Sequence, residues 1–95
     1  MAQINVRARH AMSEEEAQNA ADDLACDLAE KFDIDYGWDG DLIHFDRPGV
    51  HGKITVRENE IRIKAELGIM LVFLKPLIEE EIARYLKTEL GCEIV

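Results

Sequence analysis

Ile34-Asp35-Tyr36-Gly37-Trp38-Asp39-Gly40-Asp41-Leu42-Ile43-His44-Phe45 carries β-prone residues on both sides of an Asp-Gly pair. Asp-Gly is a favoured two-residue turn of the primed type, so the segment reads as a β-hairpin turning at Asp39-Gly40. If Trp38 faces Asp41, then Tyr36 pairs with Ile43 and Ile34 with Phe45. That register gathers nearly all the large apolar side chains on one face.

Arg47-Pro48-Gly49 supplies the next turn, and a second hairpin follows, from Lys53 to Arg57 and from Glu60 to Glu66 through Glu58-Asn59. Its register pairs Val56 with Ile61, Ile54 with Ile63, Gly52 with Ala65 and Val50 with Leu67. Lys53, Thr55, Arg57, Arg62, Lys64 and Glu66 then point the other way. The Gly52 and Ala65 pair leaves a shallow spot on the apolar face.

Upstream, Gln3 to Arg9 alternates, with Ile4, Val6 and Ala8 on one side and Asn5, Arg7 and Arg9 on the other, which is the pattern of a half-buried strand. Ser13 can accept from the Glu16 amide while the Glu16 carboxylate reaches back, and Glu14, Glu15 and Glu16 meet the positive end of a helix. Ala17, Ala20, Ala21, Leu24, Leu28 and Phe32 form its buried stripe, so the helix runs to about Phe32. Cys26 is expected on the buried side, and Cys92, near the end, as a reactive thiol.

Downstream of Gly68 the pattern is helical again. Leu71, Leu74, Ile78, Ile82, Tyr85 and Leu86 share a stripe, and Gly91 is a plausible stop. Pro76 cannot lie in a regular helix interior without loss of a hydrogen bond, so the helix begins near Lys75 or kinks there. The unbroken stripe favours the kink. The order is β-α-β-β-β-β-α in a single domain over residues 1–95: an α+β fold with about five antiparallel strands and two helices on one face, similar to an abbreviated helix-grip fold.

Composition restricts function. Twenty acidic against eleven basic side chains give a formal net charge of −9, which repels nucleic acid and anionic lipid surfaces at long range. The longest apolar run, Ile69 to Leu74, is far short of a membrane span, and the first residues lack the layout of a signal peptide. A cytoplasmic location with reduced thiols is expected.

Several segments carry a resemblance in their order and spacing: the opening strand ending at His10, Trp38-Asp39-Gly40-Asp41, Phe45-Asp46-Arg47, Gly49-Val50-His51-Gly52, Leu67-Gly68 and Lys75-Pro76-Leu77-Ile78-Glu79. Over about its first ninety residues the chain resembles the polyhydroxyalkanoic acid system protein family. The resemblance implies a small bacterial protein associated with polyhydroxyalkanoate storage, and no catalytic residues come with it. Nothing is carried over to Cys92-Glu93-Ile94-Val95.

No arrangement of residues reads as catalytic. A calcium loop from Asp33 would put Trp38 where the invariant glycine belongs and His44 where the bidentate glutamate belongs. His44, Asp46 and His51 could meet on the uncovered face, but their spacing is not that of a metal site and exposed histidines are expected. Ser13 caps a helix, neither cysteine has a base nearby in sequence, and no glycine-rich phosphate loop occurs. The expectation is no enzyme, no metal and no cofactor.

Binding is therefore the expected activity, with Met70, Phe73, Trp38, Arg62 and Lys64 as candidate contacts. Ile69 to Leu74 is apolar on every side, more than one stripe needs. The run is expected to wedge between the sheet and the first helix, the alternative being Met70 and Phe73 left open to a partner subunit, a lipid-like ligand or a granule. Arg7, Arg9, Lys53, Arg57, Arg62 and Lys64 should make the uncovered sheet face basic; a solvated face is expected, the alternative being a sheet-to-sheet homodimer or docking of an anionic partner. The leading reading is a non-enzymatic accessory protein that binds a polyhydroxyalkanoate granule, a granule protein or its own copy. The alternative is a small carrier of an acyl or other hydrophobic ligand between sheet and last helix, lined by Trp38, Tyr36, Phe45, Ile54 and Ile63. An unrecognised hydrolase of polymer or thioester stands third.

Overall fold

The structure is a computed structural model, described here for residues 2–94; Val95, the last residue of the tail, lies outside them. A strand β1 (Ala2–Arg9) is followed by helix α1 (Glu14–Phe32), then β2 (Asp35–Asp39), β3 (Leu42–Arg47), β4 (Val50–Val56) and β5 (Glu60–Leu67). A 3-10 helix (Ile69–Leu74) leads into α2 (Lys75–Arg84), a π turn (Tyr85–Glu89) and a two-residue strand β6 (Glu93–Ile94). The strands form one antiparallel sheet in the order β2-β3-β4-β5-β1-β6. The class is α+β, with one strand more than the sequence suggested.

The caps explain where α1 starts and stops. Ser13 Oγ accepts from the Glu16 amide at 3.2 Å, and Glu16 Oε1 accepts from the Ser13 amide at 3.2 Å. This reciprocal pair satisfies two donors left free at a helix start. At the other end Asp33 adopts a left-handed conformation (φ 55°) and the Ile34 amide donates back to the Ala29 carbonyl. Arg47 Nη1 adds a 2.7 Å bond to the Phe32 carbonyl, placing a cation at the negative end of the helix.

Between the helices and the sheet lies the core. Ile4 and Ala8 of β1, Ile43 and Phe45 of β3, Ile54 of β4, and Ile61, Ile63 and Leu67 of β5 meet Leu24 and Leu28 of α1 and Ile78, Ile82 and Leu86 of the last helix. The second hairpin has the expected register throughout: Val50 opposite Leu67, Gly52 opposite Ala65, Ile54 opposite Ile63 and Val56 opposite Ile61. The first hairpin is shifted by two residues. Tyr36 pairs with Phe45 and Trp38 with Ile43, because Gly40 and Asp41 form the turn in place of Asp39 and Gly40. Gly40 has φ 64° and is the first of the two turn residues, as a type II′ turn requires. A shift of two preserves which face each side chain occupies.

Three further expectations are corrected. The last helix does not kink at Pro76: the 3-10 helix ends at Leu74 and Pro76 sits in the first turn of α2, where its missing donor costs nothing. Cys26 is exposed, because the buried positions of α1 advance through Leu24, Ala25 and Leu28 and leave residue 26 outside. Cys92 is buried and burial pushes its thiol pKa up, so it is not a reactive thiol. It is drawn inward where the chain reverses at Gly91 (φ 64°) and its amide donates to the Leu86 carbonyl, which delivers β6 to the edge of β1.

Candidate functional site

The apolar segment after β5 is open, not wedged against α1. Met70 is 82 % exposed, Ile69 73 % and Phe73 64 %, with Leu77 of α2 beside them at 52 %. The geometry of a 3-10 helix accounts for it. With three residues per turn, side chains three apart eclipse, so six consecutive apolar residues form three ridges. Leu71 and Leu74 make the inner, half-buried ridge that packs on the core. Met70 with Phe73 and Ile69 with Val72 make two ridges that face outward. The helix lies beyond the end of the sheet, where the Gly68 amide donates to the Gly49 carbonyl at 2.8 Å, so α1 has no surface there to cover it.

Gly49 fixes the position of this turn. Its φ is 87°, and a Cβ built on it would lie 2.8 Å from Leu71 Cδ1. The inner ridge therefore rests directly on glycine backbone, which sets the outer ridges at the molecular surface.

The other sequence candidates lie elsewhere. Trp38, 41 % exposed, is on β2, where its Nε1 donates to Asp22 Oδ1 of α1 at 2.9 Å. Arg62 and Lys64 stand on the uncovered face of β5, Arg62 opposite Arg7 and Lys64 opposite both Asn5 and Lys53. Glu60 lies between the two arginines, 3.2 Å from Arg7 Nε and 3.1 Å from Arg62 Nη2. Hydrogen bonding to Arg7 is the main cause that holds its carboxyl below the usual range. The structure thus brings Met70 and Phe73 together, and Arg62 and Lys64 together, but not Trp38 with either pair.

The uncovered face is also less basic than the cations alone suggested. By register it carries Asp35, Asp39, Asp46, Glu60 and Glu66 as well. His44 Nε2 is 3.3 Å from Asp39 Oδ2, and His51 Nδ1 is 2.9 Å from Asp46 Oδ1. Each imidazole is matched to its own carboxylate. Among the described residues no group of three or more His, Cys, Asp or Glu side chains is placed to hold a metal ion.

Between the sheet and the helices lies a small apolar void, about 20 Å³, lined by residues that include Phe45, Ala65, Ile63 and Ile78. Ala65 borders it, whereas Gly52 does not. A void this size holds at most a water molecule, and drug-sized ligands occupy roughly 300–1,000 Å³. No helix among the described residues is long and apolar enough to cross a membrane.

A family model described as "Putative polyhydroxyalkanoic acid system protein" matches residues 4–90, from within β1 to the residue after the π turn. The chain belongs to this family. Its role is accordingly in the polyhydroxyalkanoate system. No curated protein and no solved structure matches the chain.

The family match reaches both surfaces described above. It includes Gly49, Gly68 and the whole Ile69–Leu74 turn, together with the strands of the uncovered face, and it leaves out Cys92 and β6.

Proposed function

We propose that this polyhydroxyalkanoic acid system protein is a non-enzymatic binding protein that docks on the polyhydroxyalkanoate granule through the outer ridges of the 3-10 turn. The observation that carries this reading is the exposure of Met70, Phe73 and Ile69 on a turn whose inner ridge is anchored on Gly49. Burying a side chain of this size completely stabilises by about 1.5–3 kcal/mol, so Met70 and Phe73 alone hold about 2–4 kcal/mol of unused contact. A contiguous apolar patch of this kind marks an interaction site.

Charge selects the surface. Segments that bind anionic lipid headgroups pair their apolar side chains with Lys and Arg. Here Lys75 is the single cation between Gly68 and Leu86 apart from Arg84, and the chain carries −9 overall. An uncharged polyester suits the turn better than an anionic lipid layer. A carrier of an acyl chain finds no support in a 20 Å³ interior void.

Co-sedimentation with isolated granules tests the proposal. Wild type is expected in the granule pellet and Phe73→Asp in the supernatant, with the bound fraction down by about tenfold or more, the equivalent of about 1.4 kcal/mol. Because Phe73 is largely exposed, the variant is expected to unfold at the wild-type denaturant midpoint. Wild type that stays in the supernatant would sink the docking role.

A further inference from the structure

The uncovered face of the sheet has a hollow of about 460 Å³ over the backbone of Gly52 and Ala65, walled by Gln3, His44, His51, Lys53, Lys64 and Glu66. Lys53 and Lys64 are directly opposed across β4 and β5. Like charges in that relation destabilise a sheet. Of the charged groups around them, Arg7 and Arg62 are paired with Glu60, His44 with Asp39 and His51 with Asp46. Among the described residues no carboxylate lies within ion-pair distance of either lysine. Glu66, the nearest acid along β5 on this face, accepts from Gln3 Nε2 at 3.4 Å.

Two lysines without an ion pair therefore stand side by side in the wall of a hollow whose volume is in the small-molecule range. An anion between them would relieve their repulsion and accept charge-assisted hydrogen bonds from both. The surroundings set its charge. Glu66 lines the hollow, and the chain as a whole is strongly acidic, so a monoanion is favoured over a phosphate dianion. The amides of Gln3 and Asn5 supply neutral hydrogen-bonding groups alongside, suited to a hydroxyl or carbonyl near the carboxylate.

We propose that this hollow binds the carboxylate of a hydroxy acid, either the free acid or the carboxylate end of a polyester, between Lys53 and Lys64. The choice of a hydroxy acid rests on the chain's family, and the anion site does not depend on docking through the 3-10 turn.

The test is an amide-resolved NMR titration of the full chain with 3-hydroxybutyrate, with butyrate and inorganic phosphate as comparisons. Saturable shifts are expected at Gly52, Lys53, Lys64 and Ala65, reached at lower concentration with 3-hydroxybutyrate than with butyrate or phosphate. Lys53→Gln/Lys64→Gln is expected to weaken binding about tenfold or more. Both side chains are exposed and the double variant removes a repulsion, so its core resonances should stay in place. A 3-hydroxybutyrate trimer distinguishes the two sources: tighter binding than the monomer assigns the polyester end, weaker binding the free acid. Its methyl ester should not bind. Absence of saturation, shifts centred on residues 69–74, binding of the ester, or butyrate or phosphate binding as tightly would each overturn the assignment. No granule is used, so failure here leaves the co-sedimentation result standing, and the reverse also holds.

Discussion

Glu81 has the most perturbed carboxylate of the described residues, held down to about 2, first by its hydrogen bonds to Arg84 and then by those to Asp27 and Lys31. Asp27 is shifted the other way, raised by burial and by the neighbouring Glu81. The two acids meet at the contact between α1 and α2, with Lys31 and Arg84 closing around Glu81. A carboxyl whose folded pKa is depressed stabilises the fold above its unfolded value, near 4.5, and that contribution disappears as pH falls through about 2. The raised Asp27 opposes it, since its ionised form is disfavoured at neutral pH and the cost fades on acidification. Glu81→Gln is therefore expected to lower unfolding stability at pH 7 by about 1–2 kcal/mol, a modest figure because Lys31 and Arg84 are half exposed and screened. Urea midpoints should show the gap between variant and wild type closing as the pH falls from 4.5 toward 2. A gap independent of pH would mean that Glu81 acts by packing alone.

At the scale of the element, the 3-10 turn depends on Gly49 more than on its own sequence. Gly49→Ala puts a side chain at φ 87° and a Cβ 2.8 Å from Leu71. It should destabilise by about 1–3 kcal/mol and push the turn out of place. Because Gly49 is not on the outer ridges, a fall in granule binding by this variant would tie docking to the turn's position, and unchanged binding would show that loose apolar side chains suffice. The exposure of this turn was not legible beforehand. Six apolar residues in a row have no polar face, so periodicity gives no phase, and only the place where β5 ends fixes which ridge turns inward. The second hairpin is the opposite case: four apolar pairs and a short polar loop leave one register. In the first hairpin the same logic fixed the face but not the register, because Asp39, Gly40 and Asp41 allow two turns and Gly40 fits either. Strand β6 had no signal at all, being two residues long and placed by the reversal at Gly91.

At the scale of the whole molecule, the apolar turn and the Lys53–Lys64 hollow lie close along the chain but answer to different forces. Lys64 precedes Ile69 by five residues, and Gly52 follows Gly49 by three, so both surfaces hang on the same ends of β4 and β5. Burial of Met70 and Phe73 is an apolar effect that salt leaves intact or strengthens. Attraction to the lysines is screened, over roughly 10 Å at 0.1 M salt and 3 Å at 1 M. Raising sodium chloride from 50 mM to 1 M should accordingly leave granule co-sedimentation of wild type unchanged while weakening 3-hydroxybutyrate binding severalfold. The acidic balance sharpens the contrast: a chain of net charge −9 is repelled by an anionic surface at low salt, so screening should favour docking if it changes it at all. Should granule binding instead fall with salt and survive Phe73→Asp, the contact would belong to the uncovered sheet face, and the 3-10 turn would be left for association with another copy or another protein.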